Sequence, residues 1–413
     1  MSLYVFLKDK IYYPIRLWTY RKSIPLKVWR LRRKDKIRVL FIIQSLGAWK
    51  TELLYTAMLK HMRFEPSIMV VKANDENDIS NITGYLEAKH YKYILNEYSR
   101  PIKSFLKSDI ILYQKLYEDA LPWEISFQKN LNVLFCYVNY AFHSIDAEWA
   151  YSSELLNNCW QIYFENELCL EGYKRLKGTS SRNAVVTGLP VMDELQISKE
   201  ELGSPWTIQP IKKKKIIWAP HHSIGDCWGT HQSTFLEYAD YMVEVAKQFS
   251  DEVQFAFKPH PLLRGKLNIL WGKEKTDKYY SFWENSPNTQ LEEGKYLDLF
   301  KHSDAMIHDC VSFTIEYLYT GNPALFLCRK GDDTEDYLNS FAKQAKYCHY
   351  FAFNKQEIQS FIKNVISGDD IMLSKRESFY KANLVPPGEQ SSVNNIIDAI
   401  LGSSSTASFS KNE

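Results

Sequence analysis

Two series of short, apolar, β-branched runs restrict what this sequence can fold into. The first holds Ile37-Arg-Val-Leu-Phe-Ile-Ile43, Pro66-Ser-Ile-Met-Val-Val71, Asp109-Ile-Ile-Leu-Tyr113 and Asn132-Val-Leu-Phe-Cys-Tyr-Val138. The second holds Ile216-Ile-Trp-Ala-Pro220, Val253-Gln-Phe-Ala-Phe-Lys258, Ala305-Met-Ile-His308 and Pro323-Ala-Leu-Phe-Leu-Cys328. Runs without polar alternation read as strands buried on both faces. Helical stretches fall between them, one near residues 50–62. Strands alternating with helices build a parallel sheet, so two series predict two Rossmann-like α/β domains facing across a cleft. A chain of 413 residues has room for both. The polar stretch Ser198-Lys-Glu-Glu-Leu-Gly-Ser-Pro205 has the composition of a linker. The expected organisation is an arm over 1–36, a first domain over 37–195, a linker over 196–214, a second domain over 215–401 and a disordered tail over 402–413.

Composition narrows the class. Hydrophobic residues at 45% and charged residues at 24% are ordinary for a globular protein, which excludes a disordered or collagenous chain. The seven cysteines (136, 159, 169, 227, 310, 328 and 348) form no C-x-x-C pair, which speaks against a disulfide framework and a structural zinc site. No apolar stretch is long enough for a transmembrane helix, and Lys8, Asp9 and Lys10 interrupt any signal-peptide core. The expected location is cytoplasmic.

Charge is distributed unevenly. Residues 1–36 hold eleven Lys/Arg against two acids, Asp9 and Asp35, a net +9. The whole chain carries +2, so the other 377 residues carry −7. The arm is also aromatic (Tyr4, Phe6, Tyr12, Tyr13, Trp18, Tyr20, Trp29), and Leu3, Phe6, Leu7, Ile11 and Ile15 recur at helical spacing. A basic amphipathic helix with Trp and Tyr suits an anionic membrane surface. The competing reading packs the same helix on the protein body. Nucleic acid is not expected as a partner, since no nucleic-acid motif accompanies the charge and the body is acidic.

In open α/β sheets, ligands bind beyond the carboxyl ends of the strands. Several predicted strands end there in histidine. His221, His222 and Ser223 follow one strand, Lys258-Pro-His260 another, and His308-Asp309 a third; His143 follows the strand ending at Val138. Histidine suits acid–base work near neutrality and, when protonated, neutralises phosphate. Lys258 and Arg264 add positive charge. Ser312 is placed to cap a helix opened by Asp309-Cys-Val-Ser312-Phe-Thr-Ile-Glu316; a helix start binds phosphate through its free amides, and Glu316 could accept ribose hydroxyls. His221 and His222 are adjacent and no H-E-x-x-H pattern occurs, so no metal site is expected. Asp332-Asp333 reads as a solvated loop. Walker A, G-x-G-x-x-G and G-x-S-x-G patterns are absent, which removes support for kinase, dinucleotide oxidoreductase and α/β-hydrolase readings.

Taken together, these segments resemble the CDP-glycerol glycerophosphotransferase family of teichoic-acid primases and polymerases. Val185-Val-Thr-Gly188-Leu-Pro190-Val-Met-Asp193-Glu-Leu195 resembles its T-G-x-P-R-x-D-x-L segment. Ser303-Asp304-Ala-Met-Ile-His-Asp309-Cys-Val-Ser312-Phe-Thr-Ile-Glu316 resembles its S-D-x-L-I-T-D-Y-S-S-x-x-x-D segment. Phe142-His143-Ser144 stands where the family has W-H-G, Trp218-Ala-Pro220 matches an A-P loop, and Lys258-Pro-His260-Pro261 resembles R-x-H-P. The likeness spans about residues 135–330. Val191 replaces the family Arg, Cys310-Val311 its Tyr-Ser, and His221-His222 a T-W-R type segment.

The resemblance implies a two-domain GT-B fold and transfer of glycerol phosphate or ribitol phosphate from a CDP-activated donor to a hydroxyl of a lipid-linked glycan, with CMP released. It implies no cofactor beyond the donor, and a peripheral protein on the cytoplasmic face of the membrane. Carried across by position, His143 is the base and His260 the second catalytic candidate. His221, His222, Ser223, Lys258, His308, Asp309, Ser312 and Glu316 are candidates for the donor site. A GT-B glycosyltransferase using a nucleotide sugar in capsule or lipopolysaccharide synthesis is the alternative enzyme. A membrane-bound assembly protein with a degenerate cleft is the non-enzymatic one.

Overall fold

A computed structural model describes residues 11–71, 76–96, 107–115, 126–179, 181–224, 233–329 and 334–403. The chain divides into two compact units. One comprises Met1–Asp193 with Pro386–Glu413, and the other Glu194–Val385.

The first unit is built on seven parallel strands: β1 Ile37–Ile43, β2 Phe64–Val71, β3 Tyr93–Asn96, β4 Ile110–Tyr113, β5 Leu134–Val138, β6 Gln161–Phe164 and β7 Ala184–Val186. Their order is β3-β2-β1-β4-β5-β6-β7. The second unit contains β8 Lys214–Ala219, β9 Val253–Phe257, β10 Thr289–Leu291, β11 Ala305–His308, β12 Ala324–Leu327 and β13 Tyr350–Ala352. These run β10-β9-β8-β11-β12-β13, also all parallel. Each sheet winds outward from its first strand in both directions. The order reverses between β1 and β4 in one unit and between β8 and β11 in the other, and such a switch point opens a crevice for ligands. Two doubly wound sheets agree with the GT-B-like architecture expected from sequence.

Burial follows from the strand sequences. β4 and β5 are buried at every position, as strands covered by helices on both faces must be. In the second unit Trp218 of β8 is 1% exposed and stacks on Phe235 and Phe257, with Trp283 at 5.3 Å. This aromatic cluster fixes the base of the loops that follow β8 and β9.

One boundary differs from expectation. The last helix, Ser392–Leu401, was assigned to the second domain, yet Val393, Ile396, Ile397, Ala399 and Ile400 sit in the core of the first unit. The segment read as a family motif is what holds it. The Asp193 carboxylate accepts from the amides of Ser392 (3.0 Å) and Val393 (2.9 Å), capping that helix's N-terminus. Gly188 has φ +86°, and a Cβ there would lie 2.3 Å from Ser392 Oγ, so only glycine lets the two segments close. The expected linker over 196–214 is also partly ordered, as the 3-10 helix Pro190–Gln196 ends at its first residue and Lys199–Leu202 forms a short helix.

The N-terminal arm forms a helix over Tyr13–Arg32. Leu17, Tyr20 and Leu31 are buried, with Tyr20 against Phe127 and Phe135. Tyr13 Oη donates to Glu154, Arg21 Nε to Asn158 Oδ1 and Lys27 Nζ to the Leu131 carbonyl. The helix is therefore packed on the first unit. Leu3, Tyr4, Phe6 and Leu7 lie outside the described residues, as do Cys227, Asp332-Asp333 and the tail beyond 403. Among the described residues no helix is long and apolar enough to cross a membrane, and the six described cysteines are buried thiols outside any disulfide.

Candidate functional site

Each unit carries a cluster of polar side chains at the carboxyl ends of its strands. In the second unit the cluster lies at the switch point. β8 runs out into Pro220-His221-His222, β9 into Lys258-Pro259-His260, and β11 into Asp309. The His260 amide donates to the Pro220 carbonyl at 3.1 Å, which ties the first two loops together. The rings of His221 and His222 lie 4.3 Å apart, His222 and His260 4.1 Å, and His221 and His260 5.0 Å.

These rings can offer one nitrogen each within 4.8 Å of one another, a spacing that a metal ion could use. Their hydrogen bonds favour a different ligand. Nδ1 of His260 accepts the Leu262 amide at 3.1 Å, and Nδ1 of His221 accepts the Ser223 amide at 3.3 Å. In a neutral ring the proton is then on Nε2, which acts as a donor. Burial, reinforced by His222, His221, Lys258 and Lys266, pushes His260 down to about 3, so the ring is neutral at physiological pH. Burial and then Lys266 also lower His222. A group of N–H donors beside Lys258 suits an anion with phosphate oxygens better than a cation.

Lys258 is 4% exposed, with its ammonium 5.8 Å from the Tyr296 ring. Tyr296 Oη donates to Glu316 Oε2 at 2.7 Å. Lys258 and Glu316, both buried, are thus linked through the half-buried Tyr296.

Other predicted site residues prove architectural. Asp309 is buried, and its carboxylate accepts from the His221 amide (2.6 Å), Ser233 Oγ (2.6 Å), the Thr234 amide (2.7 Å) and Thr234 Oγ1 (2.9 Å). It shapes the loop that presents His221, so its oxygens are spent on the chain itself. Ser223 is buried too, 2.9 Å from His221 Nδ1 through its hydroxyl. His308 is fully buried inside the sheet, its ring 5.3 Å from Phe326 and 5.7 Å from His349, while Nδ1–H donates to the Cys310 carbonyl. Burial drives it to about 3. It is a core residue, contrary to its assignment to the donor site. Ser312 was expected to cap its helix. The cap position is instead Cys310, no side chain caps it, and Ser312 lies exposed in the first turn of a helix only six residues long, Val311–Glu316.

In the first unit His143 lies in the loop after β5, where the sequence placed it. It is 4% exposed. Its ring stacks on Phe164 at 4.7 Å and lies 4.9 Å from Tyr151. The sequence reading missed its partner. Glu165 follows β6 directly, and both its oxygens lie 2.7 Å from His143 Nδ1, while Oε1 also accepts the His143 amide at 3.1 Å. A carboxylate only accepts, so Nδ1 carries the proton and Nε2 is the basic nitrogen of the neutral ring. Asn166, next in sequence, caps the helix Glu167–Arg175 through the Cys169 amide and so fixes the turn that delivers Glu165. The one local signal for Glu165 was an acid just beyond an apolar run, Gln161-Ile-Tyr-Phe164.

Comparison with known proteins bears on this arrangement. The family model described as CDP-Glycerol:Poly(glycerophosphate) glycerophosphotransferase matches residues 154–397. A teichoic acid poly(ribitol-phosphate) polymerase of Bacillus spizizenii is 26% identical over 209 residues, 48% of this chain and 29% of that protein. This chain thus covers under a third of that relative's length. Among solved structures, the wall teichoic acid polymerase TagF soaked with CDPG superposes with a TM-score of 0.61 at 12% identity, covering 94% of this chain and 97% of that one. A UDP-GlcNAc 2-epimerase from Neisseria meningitidis gives 0.56 at 15% identity over 89% of this chain and 100% of that one. These structural likenesses show the fold; the family match, over more than half of the chain, shows membership. The chain belongs to the CDP-glycerol:poly(glycerophosphate) glycerophosphotransferase family.

Proposed function

We propose that this protein transfers glycerol phosphate or ribitol phosphate from a CDP-activated donor to a hydroxyl of a lipid-linked cell-surface glycan, releasing CMP at the cytoplasmic face of the membrane. The observation that carries this reading is the cluster of imidazole N–H donors and Lys258 at the switch point of the second unit, in a chain of this family. The donor pyrophosphate is held there by Nε2–H of His221 and His260, with Lys258 balancing its charge. Asp309 and Ser223 support that loop without touching the donor.

The acceptor hydroxyl gives its proton to Nε2 of His143 as its oxygen bonds to the β-phosphorus. The bond from that phosphorus to the bridging oxygen breaks, and CMP leaves with the electron pair. The imidazolium then returns the proton to solvent. Glu165 holds the proton on Nδ1 and stabilises the cation that forms on the ring. Such a base contributes about 10²–10⁴ in rate, and positioning and charge stabilisation supply most of the rest. The path needs no cofactor beyond the donor. Sugar-nucleotide enzymes share this fold, so the fold does not choose between donors.

Thermal stabilisation by CDP-glycerol, CDP-ribitol, CMP and UDP-sugars tests the reading. Stabilisation by a CDP-polyol that is lost in His260→Ala is expected. Stabilisation by a UDP-sugar alone would replace it with the glycosyltransferase reading. No stabilisation by any of them would indicate a second unit that has lost its donor. His143→Ala with near-normal turnover would remove the base assignment.

A further inference from the structure

The N-terminal and C-terminal helices meet at Arg32. Its Nε and Nη2 lie 3.4 Å from the carbonyls of Ile400 and Ala399, so the guanidinium donates to the open end of the helix Ser392–Leu401. Gly402 then turns the chain with φ +76°, and the amides of Gly402 and Ser403 both return to the Asp398 carbonyl. A Cβ on Gly402 would lie 2.4 Å from the Arg32 guanidinium carbon, so the backbone leaves the helix pressed against that side chain. The described chain ends one residue later, at Ser403.

Arg32 is also one wall of an open groove of about 520 Å³. Gln161 is another, and its Nε2 donates to the same Ala399 carbonyl at 3.3 Å. The other sides are apolar: Ile24, Val28 and Trp29 from the N-terminal helix, and Trp160 from the residue before β6. Trp29 is 53% exposed. Packing of the helix on the first unit thus leaves an apolar cleft at the point where the chain departs.

Ten residues follow Ser403, running Ser404-Ser-Thr-Ala-Ser-Phe409-Ser-Lys-Asn-Glu413. Phe409 is the one large apolar side chain among them. Composition alone reads such a stretch as unstructured, since it cannot bury enough surface of its own. The six residues from Ser403 to Phe409 reach up to about 20 Å. From Arg32 back to Ile24 the groove runs about 12 Å along the helix, so the ring can reach all of it. Tethering holds that ring at roughly millimolar effective concentration, where burial of one aromatic side chain suffices for occupancy. Lys411 and Glu413 cancel in charge, so the tail is not repelled by Arg32.

We propose that Phe409 docks in this groove against the Trp29 and Trp160 rings, and that the tail thereby straps the N-terminal helix to the first unit. The place where the chain departs and the length that follows select this occupant. The docking does not depend on which donor the enzyme uses.

The test is photo-cross-linking of the full chain carrying Phe409→p-benzoylphenylalanine, with the products sized and their linked peptides mapped by mass. A product of monomer mass, linked within residues 24–33 or at Trp160, is expected. Adding Trp29→Ala removes one wall and is expected to lower that yield by about fivefold or more, with the melt on the same sample reporting the fold. In the otherwise unaltered chain, Phe409→Ser is expected to speed amide hydrogen exchange over residues 24–33 by about twofold or more. Cross-links that avoid the groove, no cross-link at all, a yield unchanged by Trp29→Ala, or unchanged exchange would overturn the proposal. So would a product of doubled mass joining the tail of one copy to the groove of another, since the groove would then serve a second copy.

Discussion

Replacing Glu165 by Gln separates position from charge in the candidate base. Glu165 presents both oxygens to His143 Nδ1 at 2.7 Å, and Oε1 also accepts the His143 amide at 3.1 Å. In Glu165→Gln the amide oxygen keeps the backbone contact, so the NH₂ group faces Nδ1. Two donors cannot face each other. Only the amide oxygen, already shared with the His143 backbone N–H, is left to accept Nδ1–H, so the balance shifts toward the tautomer with its proton on Nε2, the nitrogen that must receive the acceptor's proton. The stabilisation of the imidazolium by the carboxylate is lost as well. Together these should lower kcat by about 10²–10⁴, or about 2.7–5.5 kcal/mol. The donor KM should stay within about threefold, since the interaction is used only in the transition state. The melting temperature should move little, because shape and the backbone hydrogen bond persist. The assay is CMP release at saturating donor, with a melt on the same sample. A variant with kcat within about threefold of wild type would refute the reasoning, because a base with the wrong tautomer cannot keep its rate.

Other outcomes follow from the fold. Asp193→Ala strips the cap from the helix Ser392–Leu401 and leaves two amides without acceptors. It should cost about 2 kcal/mol, roughly 4–8 °C, read by calorimetry. Donor stabilisation should be unaffected, since Asp193 belongs to the first unit; lost donor binding would return a ligand role to this motif. Gly188→Ala should destabilise the same junction, because its Cβ would meet Ser392. Acid should unfold the second unit early. Burial holds His308 at about 3 and His349 at about 4, below the ordinary 6.5. Both are neutral when folded and take up protons when unfolded. Their stabilisation is complete above pH 6.5 and is lost as pH falls toward 4, by about 2–3 kcal/mol per pH unit. Melts of His308→Asn/His349→Asn should show a flatter acid limb, and an unchanged limb would contradict the assignment.

The sequence carried the central strands because long apolar runs have no other stable place than a covered sheet; β1 coincides with the run read from it. The edge strands β3, β7, β10 and β13 have three or four residues each, too few for a period to register. The strand-end rule put His143, His221, His222, Lys258 and His260 in the loops after their strands, where the structure has them. It misplaced His308 by a single position, since that residue still belongs to β11 and points into the core while Asp309 begins the loop. Glu165 was invisible because its partner lies 22 residues away and meets it only through the pairing of β5 with β6. The C-terminal helix misled for the same reason. Its apolar face is plain in the sequence, but which core it joins is decided by the distant Asp193 and Gly188.

The most direct test of the central claim is the fate of the donor when acceptor lipid is supplied. Purified full-length protein would be incubated with CDP-glycerol, CDP-ribitol or UDP-sugars and a cell-envelope lipid extract, and both the released nucleotide and the lipid fraction quantified. The account predicts CMP released in equal amount to polyol phosphate gained by the lipid, from one CDP-polyol, and abolished in His143→Ala. Release of UDP from a UDP-sugar, with sugar appearing on the lipid and no CMP from either CDP-polyol, would contradict it.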